Sequence, residues 1–186
     1  MKDSGSLVSR MVPAAKLEVN LYEEVEADTK ATMSAMWVVV IASVAAGIGT
    51  GIAGIIAGNG AMAFLWGLLG GVAVGLVGWL AWTGITYLLG TTVLKGPNTS
   101  ATWGELLRTI GFAQSPGVLK ILSFIPFLGG LISFAASIWM LIATVIGVRQ
   151  ALDVSTGRAI AVCIVGWLIY FALGLLLAFL LHTRLF

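Results

Sequence analysis

Three groups of residues in this chain have the types and spacing to do chemistry. Glu23, Glu24, Glu26 and Asp28 crowd together just ahead of a long apolar run. Carboxylates this dense could hold a metal ion or dock a basic partner. They lack the spacing of a calcium loop, and no His or Cys lies near them. A solvated face is the plain reading. A sharper one pairs these acids with Arg149 and Arg158, predicted on the same side of a membrane. Such surface pairs contribute only about 0–1 kcal/mol each and would orient the N-terminal region more than hold it. The second group is Gly49, Gly51 and Gly54, which match the GxGxxG dinucleotide fingerprint. That motif needs a strand before it and an acid about 20 residues on. Here it lies deep in an apolar stretch, and the next acid is Glu105. The third group is Thr102, Trp103, Gly104 and Glu105, which read as a capping box opening a short helix.

Catalysis finds no support. There is no nucleophile–base pair, no metal-ligand cluster and no cofactor motif, so an enzyme is not expected. Cys163 is the single cysteine, set in an apolar run where a buried thiol is the ordinary outcome. His182, near the C-terminal end, reads as an ordinary terminal histidine. A net charge of +2 is too small to indicate nucleic acid. No acid is expected at mid-membrane depth, which argues against a proton-driven pump.

The elements that carry these residues are dictated by composition. Hydrophobic residues make up 59% of the chain and charged ones 10%, against about 25% charge in soluble domains; the mean hydropathy is +1.05. From Ala31 to Leu94 there is no Asp, Glu, Lys, Arg or His. That length fits two crossings of about 20 residues each, with Gly58-Asn59-Gly60 as the turn. The first apolar run starts near Ala35 and is too long for a signal peptide, so no cleavable leader is expected.

Further on, Trp103, Leu106, Leu107 and Ile110 share one face of a helix and Glu105, Arg108 and Thr109 the other, which predicts an amphipathic helix lying in the membrane interface. Ser115-Pro116 predicts a helix start. Pro126 and Gly129-Gly130 interrupt the next apolar run, so a short or kinked third span is expected, followed by a full fourth. The fold class is therefore all-α: a polytopic helical membrane bundle with five spans at about 33–57, 61–88, 116–128, 131–148 and 159–181. Residues 1–30 form a polar head with short amphipathic helices, and residues 31–186 the membrane region.

Orientation follows from the basic residues. Five spans put Lys2, Arg10, Lys16, Lys30, Lys95, Arg108, Lys120, Arg149 and Arg158 on one side and only Arg184 on the other. The N-terminus is then cytoplasmic and the C-terminus outside. Lys120 is expected to snorkel toward the cytoplasmic face. Trp37, Trp66, Tyr87 and Trp103 read as interface anchors, and Trp139 and Trp167 as packing residues. Gly47 and Gly51 with Ser43, then Gly67, Gly71 and Gly75, then Gly166 and Gly174 with Ala178, form small-residue faces. These are expected to pack helices within the fold, or to join copies in an oligomer.

Several segments together carry a family resemblance. They are Leu21 to Asp28, Ala31-Thr32, Gly47-Ile48-Gly49, Thr102 to Thr109, Val148 to Val154 and Thr156-Gly157-Arg158-Ala159. This layout resembles prokaryotic members of the Yip-domain family, named for the Ypt/Rab-interacting proteins. The resemblance implies a five-span membrane protein with a cytosolic N-terminus. Eukaryotic relatives act in vesicle traffic and bind small GTPases. Here the N-terminal region is reduced to about 30 residues, and their Asp-Leu-Tyr-Gly-Pro segment is missing, which argues against small-GTPase binding. The expected role is that of a non-enzymatic accessory, scaffold or membrane-organising protein in the inner membrane, working through a membrane-protein partner or as a homo-oligomer. Its expected contact surface is cytoplasmic: Tyr22, Glu23, Glu26, Asp28, Trp103, Glu105, Arg108, Arg149, Asp153 and Arg158. The alternative is a small-solute or lipid transporter or channel built around the broken segment at Pro126.

Overall fold

The structure is a computed structural model that describes residues 6–185; Lys2 and the side chain of Arg184 lie outside the described residues. The described residues form seven α-helices: α1 (Leu7–Ala15), α2 (Val19–Ala27), α3 (Ala31–Ile56), α4 (Ala61–Leu88), α5 (Trp103–Phe112), α6 (Leu128–Ala151) and α7 (Thr156–Leu185). A π-helical turn, Leu89–Val93, extends α4, and a 3₁₀ helix, Ser115–Phe124, joins α5 to α6. In the π turn, the hydroxyls of Thr91 and Thr92 donate to the carbonyls of Tyr87 and Leu88. Such back-bonding competes with the helical ladder and ends the helix by loosening it.

Close approaches between helices give the topology. Gly51 of α3 faces Phe64 of α4, Gly47 faces Leu68, and Ser43 faces Gly75, so α3 and α4 are antiparallel. Gly58, at φ +92°, makes the turn between them, in the left-handed region that suits glycine. Along the next leg, Gly111 lies against Ala35, Gly117 against Ala42, and the carbonyls of Lys120 and Ile121 against Gly49. The 3₁₀ helix therefore climbs beside α3 in the same direction. Its chain turns over at Pro126 and Phe127, where Phe127 has φ +64°. Helix α6 then descends: Gly129 packs on Ser123, Met140 on Gly117 and Gly147 on Thr109. Helix α7 rises against α4, with Gly166 beside Ile85 and Tyr170 beside Gly78.

The described helices bear out an all-α membrane bundle. Four of them are long and apolar enough to cross a membrane: Ala31–Ile56, Ala61–Val93, Leu128–Ala151 and Thr156–Leu180. The segment expected as a short or kinked third span, 116–128, is a ten-residue 3₁₀ helix, Ser115–Phe124, followed by a turn. At about 2.0 Å per residue it rises only about 20 Å, against a hydrocarbon core of about 30 Å.

Other expectations are corrected by local bonding. The Thr102–Glu105 capping box forms, with Glu105 Oε2 accepting from the Thr102 amide at 2.7 Å. Helix α2 has no such box: it starts at Val19 behind Glu18, which makes no side-chain cap bond. Ser115 is not an N-cap, because its hydroxyl donates backward to the Phe112 carbonyl at 2.7 Å. Helix α1 runs through Pro13 to Ala15 before the chain turns at Leu17, φ +64°. Helix α5 is covered by its neighbours over most of its length. Leu106 to Phe112 are all buried, because α5 packs among α2, α3, α4 and α6, with Arg108 against α2 and Thr109 against α6.

The glycine faces divide. Gly47, Gly51 and Gly75 sit in close α3–α4 contact, and Gly166 packs at ordinary van der Waals distance. Gly67, Gly71 and Gly174 have open space beside them among the described residues. Trp139 and Trp167, expected as packing residues, are 39% and 55% exposed. Trp139 nonetheless ties α6 to the head, its indole donating to the Ala15 carbonyl at 2.7 Å.

Gly49 is, with Gly129, one of the positions where a side chain is least tolerable. A Cβ there would lie 2.8 Å from the Ile121 carbonyl and closer still to that of Lys120, both backbone atoms. Gly49→Ala should therefore displace the 3₁₀ helix and cost about 1–3 kcal/mol. Gly67→Ala should change stability by less than about 0.5 kcal/mol. Thermal unfolding of both variants in mild detergent checks the contrast; equal effects would contradict the packing described.

Candidate functional site

The residues expected to meet partners are gathered at the end of the bundle where α3 and α7 begin and α4 and α6 finish. Arg108 holds this end together. The capping box starts α5, and one turn later Arg108 emerges toward α2, with only 5% of its surface exposed. Its Nε donates to the Val25 carbonyl at 2.8 Å, one terminal nitrogen donates to the Glu26 carbonyl, and the other lies 3.5 Å from Thr32 Oγ1. Val25 and Glu26 are in the last turn of α2, where carbonyls lack helical partners. Helix α2 carries no basic residue there, and Arg108 supplies both donors and positive charge.

Tyr22 is equally interior. It is fully buried, and its hydroxyl donates to the Ala14 carbonyl at 3.1 Å. Burial pushes its ionisation well above the usual tyrosine range. Tyr22 and Arg108 thus fasten α1, α2 and α5 into one unit and offer no surface.

The expected pairing of the acids with Arg149 and Arg158 does not form. Arg10 of α1 takes Glu24 at 3.1 Å and Asp28 at 3.0 Å. Arg149 instead donates to Gln150 Oε1 at 2.9 Å, and the Gln150 amide donates to Glu23 Oε1 at 2.8 Å, which links α6 to α2 through a neutral side chain. Thr99 closes the α4–α5 loop on the end of α6: its hydroxyl donates to the Leu152 carbonyl at 2.8 Å and accepts from the Gly96 amide at 3.0 Å. Arg158 lies beside Gly96. Sequence reasoning missed the parts of Arg10, Gln150 and Thr99. Their bonds join distant segments and leave no periodic signal.

Of the expected surface, Glu23, Trp103, Asp153 and Arg158 are exposed, and Glu26, Asp28, Glu105 and Arg149 are half-buried. Trp103 stands edge-on to Tyr87, ring centres 6.0 Å apart. Asp153 takes φ +49°, a conformation that short polar residues tolerate.

Glu26 carries the one carboxyl here with a large shift. Burial raises its pKa to about 7, helped by Glu105 and Asp153 and opposed by Arg108. The folded chain therefore keeps this proton up to about pH 7, whereas the free group loses it near 4.5. The resulting stability is fully present below the lower value and is lost as pH rises through the higher one. Glu26→Gln, which leaves the carbonyl held by Arg108 in place, should melt higher than the parent at about pH 8 and equally at about pH 5. Melting curves in detergent at the two pH values provide the check.

The family model described as Yip1 domain matches residues 20–178. No curated protein and no solved structure matches the chain significantly. The matched region runs from the start of α2 well into α7 and so takes in the Arg108 clasp, the glycine-packed hairpin and the 3₁₀ leg. With its four long apolar helices and bilayer-facing surface, the chain is an integral membrane protein that belongs to the Yip1-domain family.

Proposed function

We propose that this is a non-enzymatic accessory or scaffold protein of the cytoplasmic membrane that works by binding a protein partner, or a second copy, at its polar end. The observation that carries the reading is the contrast between the two parts of the surface. Glu23, Trp103, Asp153 and Arg158 are exposed together on elements locked to one another by Arg108, Gln150 and Thr99. Most of the remaining surface is apolar and suited to lipid, with residues such as Leu69, Val74, Phe134 and Phe171 more than half exposed. A rigid, charged platform on a lipid-facing bundle is suited to recognition. A small GTPase is the less favoured partner, since Asn20-Leu21-Tyr22-Glu23 is only a loose echo of the family's Asp-Leu-Tyr-Gly-Pro segment.

A photo-crosslinking residue at Asp153 or Arg158, in native membranes, should give a discrete adduct that is lost on charge reversal at the neighbouring position. The same probe at Leu69 should give lipid adducts only. Diffuse or lipid-only products from all three positions, with monomers in mild-detergent sizing, would overturn the reading.

The orientation belongs to the same proposal. Five passes, with the N-terminus cytoplasmic, fit a chain in which α4 and α6 end side by side, since Gly90 and Thr99 both meet Leu152. The segment between those helices must then return across the bundle, and the 3₁₀ helix is the leg that does so. Single cysteines in a Cys163→Ser background supply the test. Asp153 should label from the cytoplasmic side, and Asn59 and Phe127 from the opposite side. Cytoplasmic labelling of Phe127 with Asp153 on the opposite side would leave four crossings and overturn the reading.

A further inference from the structure

A cleft of about 1150 Å³ opens among α3, α4, α6, α7 and the 3₁₀ helix. It exists because the 3₁₀ leg stands between α3 and α6, so α6 packs on that leg and on α7 and not extensively on α3 or α4. Its walls are largely apolar, and Phe134, Ile138 and Trp167 on its rim are 65%, 42% and 55% exposed, which opens it sideways toward lipid. The volume reaches the upper range of ligand pockets, about 300–1,000 Å³.

Charge inside the cleft is one-sided. Lys120 is its ionisable cation, and no Asp or Glu lines it. The hydroxyl of Thr144 is already committed to the Met140 carbonyl, and that of Ser137 to the Ser133 carbonyl. Lys120 and Gln114 have no side-chain bond or ion pair among the described residues. They follow the 3₁₀ leg along α3: Gln114 falls between Gly111, beside Ala35, and Gly117, beside Ala42, and Lys120 lies next to Gly49, toward the far end of α3. An intramembrane lysine facing a cavity marks a site for an anion.

We propose that this cleft binds one acidic phospholipid, its phosphate on Lys120 and Gln114 and an acyl chain between α4, α6 and α7. A lysine ammonium has three donors and the glutamine amide two, which suits phosphate oxygens. The apolar walls account for an amphiphile over free phosphate. The missing acid accounts for an anionic headgroup over a zwitterionic one.

Native mass spectrometry of the full chain in mild detergent tests this with phosphatidylglycerol and phosphatidylcholine of identical chains. One phosphatidylglycerol should be retained with about tenfold preference, the size of one charge-assisted hydrogen bond. Lys120→Gln should abolish the preference and Lys120→Arg should keep it. Ser137→Trp, which fills the cleft from its rim, should remove the retained lipid whatever its headgroup. Inorganic phosphate should not compete. Equal retention of both lipids by the parent would overturn the proposal, as would retention unchanged in Ser137→Trp. A change of oligomeric state in Ser137→Trp without loss of lipid would show that a second copy fills the cleft, and would overturn it too. Should Lys120→Gln fail to fold, the headgroup preference of the parent and the Ser137→Trp result still decide.

Discussion

A guanidinium removed from water must find acceptors for its donors, and Arg108 finds them at the unfinished end of another helix. Helix α2 is only nine residues long and would be marginal alone. By donating to its last carbonyls, Arg108 ends α2 from a distance and buries its own charge against the negative end of a helix dipole. Everything else at the polar end is arranged around that bond. With α2 seated, Tyr22 reaches Ala14, Glu23 meets Gln150, and Glu24 and Asp28 face Arg10. The head is thus continuous with the membrane bundle through backbone acceptors, and its salt bridges stand at the margin.

In the bundle itself the governing constraint is backbone proximity. Without a hydrophobic drive between helices in lipid, close packing has to supply the attraction. Gly47, Gly51 and Gly75 let α3 and α4 meet, and Gly49 lets the carbonyls of Lys120 and Ile121 rest on α3. A slim 3₁₀ helix fits this slot, and the room it leaves at its flank becomes the lateral cleft.

Much of this was legible in the residues. The charge-free run located the α3–α4 hairpin, Gly58 to Gly60 its turn, and Thr102 with Glu105 the start of α5. What stayed hidden has a common cause. The spacing of Gly67 and Gly71 is that of Gly47 and Gly51, yet spacing does not say whether a face meets a helix or a bilayer. Arg108, Glu105 and Thr109 mark a polar face on α5, yet periodicity does not reveal that Arg108 meets α2 and Thr109 meets α6. The partnership of Glu23 with Gln150 spans most of the chain, and no local pattern encodes it. Side-chain polarity predicted the elements well and their neighbours poorly.

The short 3₁₀ leg has a consequence for the lipids around it. Its rise of about 20 Å stands beside α3, whose 26 residues extend about 39 Å. On the five-pass reading, one flank of the molecule is much lower than the other. Bilayer apposed to the low flank has to thin or tilt, at a fraction of a kcal/mol for each ångström. On that same reading the hydrophobic belt is uneven, lower beside the 3₁₀ leg than beside α3.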